Sequence, residues 1–180
     1  FLLGGAWVLK EKGGISYLQF KFSGKEQGLE PVRPYVASKR SSFQTLSRSL
    51  AKGGVVLLGD SLTEGGPWSE ILPNLYLRNR GVRGDTTGSL LQRLNEIIDV
   101  QPEKIFLLIG INDLKNRVPP QEIVKNYASI LDQLQAGCPN AKIYPQGLFP
   151  THNDLFAVNY AEIEELNQQI SHLANARKLP

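Results

Sequence analysis

A serine closes the apolar run in Val55-Val56-Leu57-Leu58-Gly59-Asp60-Ser61-Leu62-Thr63. A buried parallel strand reads as such a run of branched apolar residues, and sites in open α/β sheets form just outside the carboxyl ends of their strands. Ser61 would sit at that edge, which makes it the leading candidate for a nucleophile. Alone, Gly59-Asp60-Ser61-Leu62 fits an ordinary strand-to-helix turn better, because glycine, aspartate and serine are the usual turn residues. Two later stretches reverse that balance. Asn79-Arg80-Gly81-Val82-Arg83-Gly84-Asp85-Thr86-Thr87 follows a second short apolar run, and Leu107-Leu108-Ile109-Gly110-Ile111-Asn112-Asp113 follows a third. Consecutive βα units that each end in a small-plus-polar turn converge on one rim of a sheet.

In these blocks the chain resembles the GDSL or SGNH hydrolase family, whose members carry a serine, a glycine, an asparagine and a histidine in successive blocks. The resemblance runs from about Val55 to the end of the chain and points to the small esterases and acetylhydrolases of the family. It implies that Ser61 is the nucleophile and that the Gly84 N–H, the Asn112 side-chain amide and the Ser61 N–H form an oxyanion hole. It implies a small-molecule ester as substrate and no metal or cofactor. The residue types suit the chemistry: a serine hydroxyl needs a neighbouring base, and the tetrahedral intermediate of ester cleavage carries an oxygen anion that needs fixed donors. Asn112 supplies a neutral N–H donor at any working pH. Asp60, beside the serine, reads as a cap for the turn rather than as a triad acid.

The fourth block does not follow. Family members place Asp-x-x-His near the C-terminus, whereas the two histidines here, His152 and His172, have Phe149 and Gln169 three residues before them. His152, on a loop that also holds Asp154, is a substrate-binding candidate; His172 falls within a helical stripe and reads as a surface or packing residue. The expectation is a chain that stops about one strand and one helix short of a complete hydrolase, with the catalytic histidine beyond Pro180 and at most trace activity in the 180 residues themselves. A non-catalytic ligand-binding or interaction domain of the same fold is the alternative. A nucleotide binder is disfavoured, because no turn carries a glycine-rich phosphate cradle.

Alternating strands and helices must position these residues. Val55–Leu58, Leu75–Arg78, Ile105–Ile109 and Lys142–Tyr144 are the expected strands. Leu90, Leu91, Leu94, Ile97 and Ile98 form one helical stripe, and Ile123, Val124, Tyr127, Ile130, Leu131 and Leu134 form another. Tyr160, Ile163, Leu166, Ile170 and Leu173 form a third. This alternation predicts a parallel sheet covered on both faces. With the family resemblance, the fold class is a three-layer α/β/α sandwich around a central parallel sheet, flavodoxin-like, without its last strand and helix.

Composition sets the boundaries. Residues 1–12 read equally as the apolar tail of a membrane anchor or signal segment and as a buried strand, residues 13–52 as a basic linker with a lead-in helix, and residues 53–180 as the hydrolase-like domain. Within that helix, Ser38 to Ala51, Phe43, Leu46 and Leu50 would share one face. Between Lys10 and Lys52 nine Lys or Arg face three Glu, so the net charge of +3 belongs to this region and the remainder is acidic. With no basic motif interleaved with aromatics, nucleic acid is not an expected partner, and anionic lipid would be the one met by an anchored or exported form; otherwise the location is cytoplasmic. Cys138 is the only cysteine, which excludes an intrachain disulfide.

Overall fold

A computed structural model describes residues 34–49, 51–73, 75–151 and 158–180, all within the unit Arg33–Pro180. Residues 1–33, which include the apolar start and most of the basic linker, lie outside the described residues, as does His152. No described helix is long and apolar enough to cross a membrane.

The described chain opens with helix α1 (Pro34–Ser49), followed by strand β1 (Val55–Gly59) and the short helices α2 (Ser61–Gly65) and α3 (Trp68–Ile71). Strand β2 (Leu77–Gly81) leads to α4 (Thr87–Leu91) and α5 (Asn95–Ile98), and β3 (Lys104–Leu108) to α6 (Ile111–Lys115) and α7 (Pro120–Gly137). Strand β4 (Lys142–Pro145) and helix α8 (Tyr160–Ala176) complete it. The four strands form one parallel sheet in the order β2-β1-β3-β4.

Both neighbours of β1 are strands, so all five of its residues are buried and a continuous Val-Val-Leu-Leu-Gly run is what the position requires. On one face Val56, Leu58, Ile105, Leu107 and Ile143 meet Leu90, Leu94 and Ile97 of the α4–α5 region, Ile123, Tyr127, Ile130, Leu131 and Leu134 of α7, and Ile163, Leu166 and Ile170 of α8. On the other, Val55, Leu57, Phe106 and Leu108 lie under Leu62, Thr63 and Trp68 and line a cavity of about 380 Å³.

Three expectations shift. The apolar residues Leu75 and Tyr76 are half exposed and precede β2, whose body is Leu-Arg-Asn-Arg-Gly with Arg78 and Arg80 buried. Those arginines survive burial because the Arg78 guanidinium donates to the carbonyls of Gly53 and Ala51 and that of Arg80 lies over the Phe43 ring at 4.6 Å. The first helical stripe is divided between α4 and α5 by a turn at residues 92–94, although Leu90, Leu94 and Ile97 still reach the core. Helix α1 begins earlier than expected and buries Phe43 but leaves Leu46 exposed; Leu50 lies outside the described residues.

Candidate active site

The register of the sheet brings three turns to one level, since Gly59 pairs with Gly81 on one side and with Leu108 on the other. The chain leaves β1 through Asp60 into Ser61, leaves β2 through Val82 into Gly84, and leaves β3 through Ile109 and Gly110 into Asn112. The rim is tightly packed: a Cβ on Gly81 would lie 2.1 Å from the backbone nitrogen of Glu64, so only glycine lets α2 press against the end of β2.

Ser61 is the half-buried first residue of α2. Asp60 caps that helix, its Oδ1 accepting the Leu62 N–H at 2.9 Å, so its role here is to fix the turn that presents the serine. Oδ2 of Asp60 is buried and finds no donor among the described residues. Burial pushes the Asp60 carboxyl above its usual range against the pull of the Leu62 N–H, and the nearby Asp85 carboxylate adds to the rise.

Hydrogen bonding along the loop after β2 can be followed one N–H at a time. Val82 donates to Gly59 O at 3.0 Å, Arg83 to Glu64 Oε2 at 2.6 Å, and Asp85 to Val82 O at 3.1 Å. Thr86 donates to Ser89 Oγ at 2.8 Å, and Thr87 to both carboxylate oxygens of Asp113 at 2.9 and 3.1 Å. Gly84 alone in this run has no acceptor among the described residues. Its φ of +82° is a conformation that side chains disfavour, and apart from its chain neighbours no described residue comes within 4 Å of where a Cβ would stand. Gly84 is exposed, so its N–H stands open at the sheet rim, where solvent or a ligand can accept it.

Asn112 Nδ2 donates one hydrogen to the Asp85 carbonyl at 2.9 Å, which joins the third turn to the second immediately beside Gly84 and leaves its other hydrogen for a second acceptor. Next to it, Asp113 is buried and receives the Thr87 hydroxyl at 2.6 Å in addition to the Thr87 N–H. Burial raises the Asp113 carboxyl to about 6 despite those bonds.

Beneath the rim lies an ionic network that the sequence alone does not reveal. Arg93 donates through Nε to Asp85 Oδ2 at 2.6 Å and through Nη1 to Glu96 Oε1 at 2.5 Å. Its Nη2 reaches the carbonyls of Arg80 at 2.9 Å and Gly59 at 3.3 Å. All three charged side chains are buried. No local pattern singles them out, since Asp85 stands between Gly84 and Thr86, Arg93 between Gln92 and Leu94, and Glu96 between Asn95 and Ile97.

Of the residues expected to act, the structure therefore joins Asn112 to the Gly84 loop and sets Ser61 at the same rim, while His172 stands exposed on α8. Cys138 is buried, and burial pushes its thiol up, as suits a packing residue.

Residues 57–180 match the GDSL-like lipase/acylhydrolase family, and the chain belongs to it. An arylesterase of Vibrio mimicus is 27% identical over 145 residues, covering 70% of this chain and 72% of that protein. The human platelet-activating factor acetylhydrolase IB subunit alpha2 is 29% identical over 134 residues, covering 69% of this chain; the chain spans 58% of that relative's length. Among solved structures, AlinE4, an esterase of the SGNH-hydrolase family, superposes with a TM-score of 0.58 at 26% identity over 72% of this chain and 74% of that one. A GDSL-like lipase of Bacteroides thetaiotaomicron shares the fold with a TM-score of 0.65 at 24% identity, over 78% of this chain and 75% of that one.

Proposed function

We propose that this chain carries the nucleophile and oxyanion hole of a serine hydrolase acting on carboxylic esters. Ser61 Oγ attacks the acyl carbon, its proton passes to a base, and the carbonyl oxygen becomes an anion held by the N–H groups of Ser61 and Gly84 and the free Nδ2 hydrogen of Asn112. Collapse of that intermediate expels the alcohol, which takes up the proton, and water then releases the acid from the acyl-serine by the same steps. The observation that supports this reading is the hydrogen-bond pattern of the second turn, in which Gly84 keeps its N–H unspent beside the anchored Asn112.

The base would be a histidine backed by an aspartate, and no Asp-x-x-His occurs in the sequence. The 180 residues are accordingly expected to hydrolyse esters only at trace rates, with added imidazole able to take the place of the absent base. Relatives named arylesterase and acetylhydrolase make short aryl and acetyl esters the first substrates to try. The experiment compares the chain with Ser61→Ala and Asn112→Ala on an aryl acetate, with and without imidazole. A Ser61-dependent rate that imidazole raises, and that Asn112→Ala cuts by roughly 10²–10³-fold with KM little changed, is the expected result. Identical rates for the chain and Ser61→Ala under every condition would remove the nucleophile.

A further inference from the structure

Helix α1 precedes the residues that match the family, yet one of its faces reaches the rim. Tyr35, Lys39 and Phe43 follow one another at intervals of four, with Arg40 alongside. The Tyr35 hydroxyl and the Lys39 ammonium both donate to Glu64 Oε1. The other oxygen of Glu64 accepts the Arg83 N–H at 2.6 Å. Burial raises the Glu64 carboxyl, but the bonds from Lys39, Tyr35 and Arg83 outweigh it and hold the group below its ordinary range, so it stays an anion suited to this grip. Next to Lys39 in the chain, Arg40 Nη2 donates to Asp85 Oδ1 at 2.9 Å, with the arginine side chain 18% exposed and the aspartate 2%. Phe43 anchors the helix under the Arg80 guanidinium, and Ser47 Oγ donates to Glu96 O at 2.8 Å.

These contacts bracket Gly84. Its predecessor Arg83 is held through Glu64 and its successor Asp85 directly, and Asp85 in turn supplies the carbonyl that Asn112 binds. We propose that Lys39 and Arg40 are positioning residues for the oxyanion loop, fixing from outside the family-matched segment the direction in which the Gly84 N–H and the Asn112 amide point. The proposal rests on the functional reading above. It also separates holding the fold from aiming the donors: without Arg40, Asp85 keeps Arg93 and Ser89, and without Lys39, Glu64 keeps Tyr35 and Arg83.

The test uses the full 180-residue chain and the variants Lys39→Gln, Arg40→Gln, the double variant, Arg40→Lys, and Gln44→Ala on the exposed side of α1 as control. Amide hydrogen exchange is followed on the peptide spanning residues 82–87, and the imidazole-assisted, Ser61-dependent ester rate is measured as kcat and KM. The double variant is expected to exchange about tenfold faster in this segment and to lose about tenfold in kcat with KM within a factor of about two, circular dichroism being unchanged. Arg40→Lys, which keeps the charge without the planar fork, should recover part of the loss, and Gln44→Ala should match the parent. Unchanged exchange at 82–87 overturns the grip whatever the activity does, and faster exchange with unaltered kcat overturns the positioning role. If the parent has no Ser61-dependent rate, the functional reading fails by itself, and the exchange data still decide whether α1 holds the loop.

Discussion

Asp113 shows what a single residue does beneath the candidate donors. Its carboxylate closes the first turn of α4 through Thr87 while its chain neighbour Asn112 binds the Asp85 carbonyl, so one dipeptide ties β3's turn to β2's at two points. Because burial lifts its carboxyl from 3.8 to about 6, the folded state binds a proton that the unfolded chain has released between those values. The sign follows: this residue's contribution to stability is complete below about pH 4 and is lost as pH rises through about 6. Wild type minus Asp113→Asn, measured by urea unfolding, should therefore shrink by on the order of 3 kcal/mol between pH 4 and pH 7. A difference independent of pH would show that Asp113 titrates normally. At this scale Ser61, Gly84 and Asn112 stand out as candidates in the sequence because each sits in a short block of recognisable type after an apolar run. Asp113, Glu64 and Arg93 were not, because their meaning lies in partners contributed by other turns: Thr87 lies 26 positions from Asp113, and Arg83 lies 19 from Glu64.

Among the elements, β2 is the instructive case. Alternation of strands and helices was readable from periodicity, yet β2 was expected over Leu75–Arg78, where the apolar residues are, and forms over Leu77–Gly81. An apolar-run criterion fails here because the inward side chains are Arg78 and Arg80, whose charges are met by carbonyls, a ring and the acidic network. Burial lowers the Arg80 guanidinium, Glu96 opposes that fall, and Arg78 and Arg93 add to it. Arg93 is the element-scale connector, since one planar group bonds Asp85, Glu96 and the carbonyls of Arg80 and Gly59. A lysine carries one donor head and cannot span that set. Arg93→Lys should cost roughly 3 kcal/mol, since one ammonium cannot serve Asp85, Glu96 and two carbonyls at once and leaves buried acceptors unpaired, although Asp85 keeps Arg40. The check is chemical denaturation at neutral pH. A loss under about 1 kcal/mol would mean that water or Arg80 takes over.

Across the whole molecule the sheet's faces are unequal. One carries the continuous core, and the other holds the 380 Å³ cavity beneath α2 and α3, with the exposed Leu75 and Phe149 in its lining. Within the core, Tyr127 on α7 is fully buried and its hydroxyl has no hydrogen-bond partner among the described residues. Burial pushes its phenol well above the usual range. Replacing it by phenylalanine keeps the ring and removes the unpaired oxygen, so Tyr127→Phe should raise stability by about 1 kcal/mol. A melting temperature lowered by the change would reveal a partner for that hydroxyl. Sequence periodicity identified Tyr127 as a core residue but could not show that its oxygen stands alone, because pairing depends on what lies opposite in three dimensions.

The Arg93 connector also bears on the order in which the site is assembled. Every acceptor it holds lies between Gly59 and Glu96, and the helix α1 contacts to Glu64 and Asp85 start no earlier than Tyr35. The Ser61 turn and the Gly84 loop can thus be knitted together by residues 35–96, before β3 threads in beside β1 and carries Asn112 into place. Loop closure over short separations is fast, so this half should already be formed at the folding barrier and the asparagine half should lock afterwards. In stopped-flow refolding, Arg93→Lys should mainly slow folding and Asp113→Asn should mainly hasten unfolding; the reverse pattern would place the asparagine turn first.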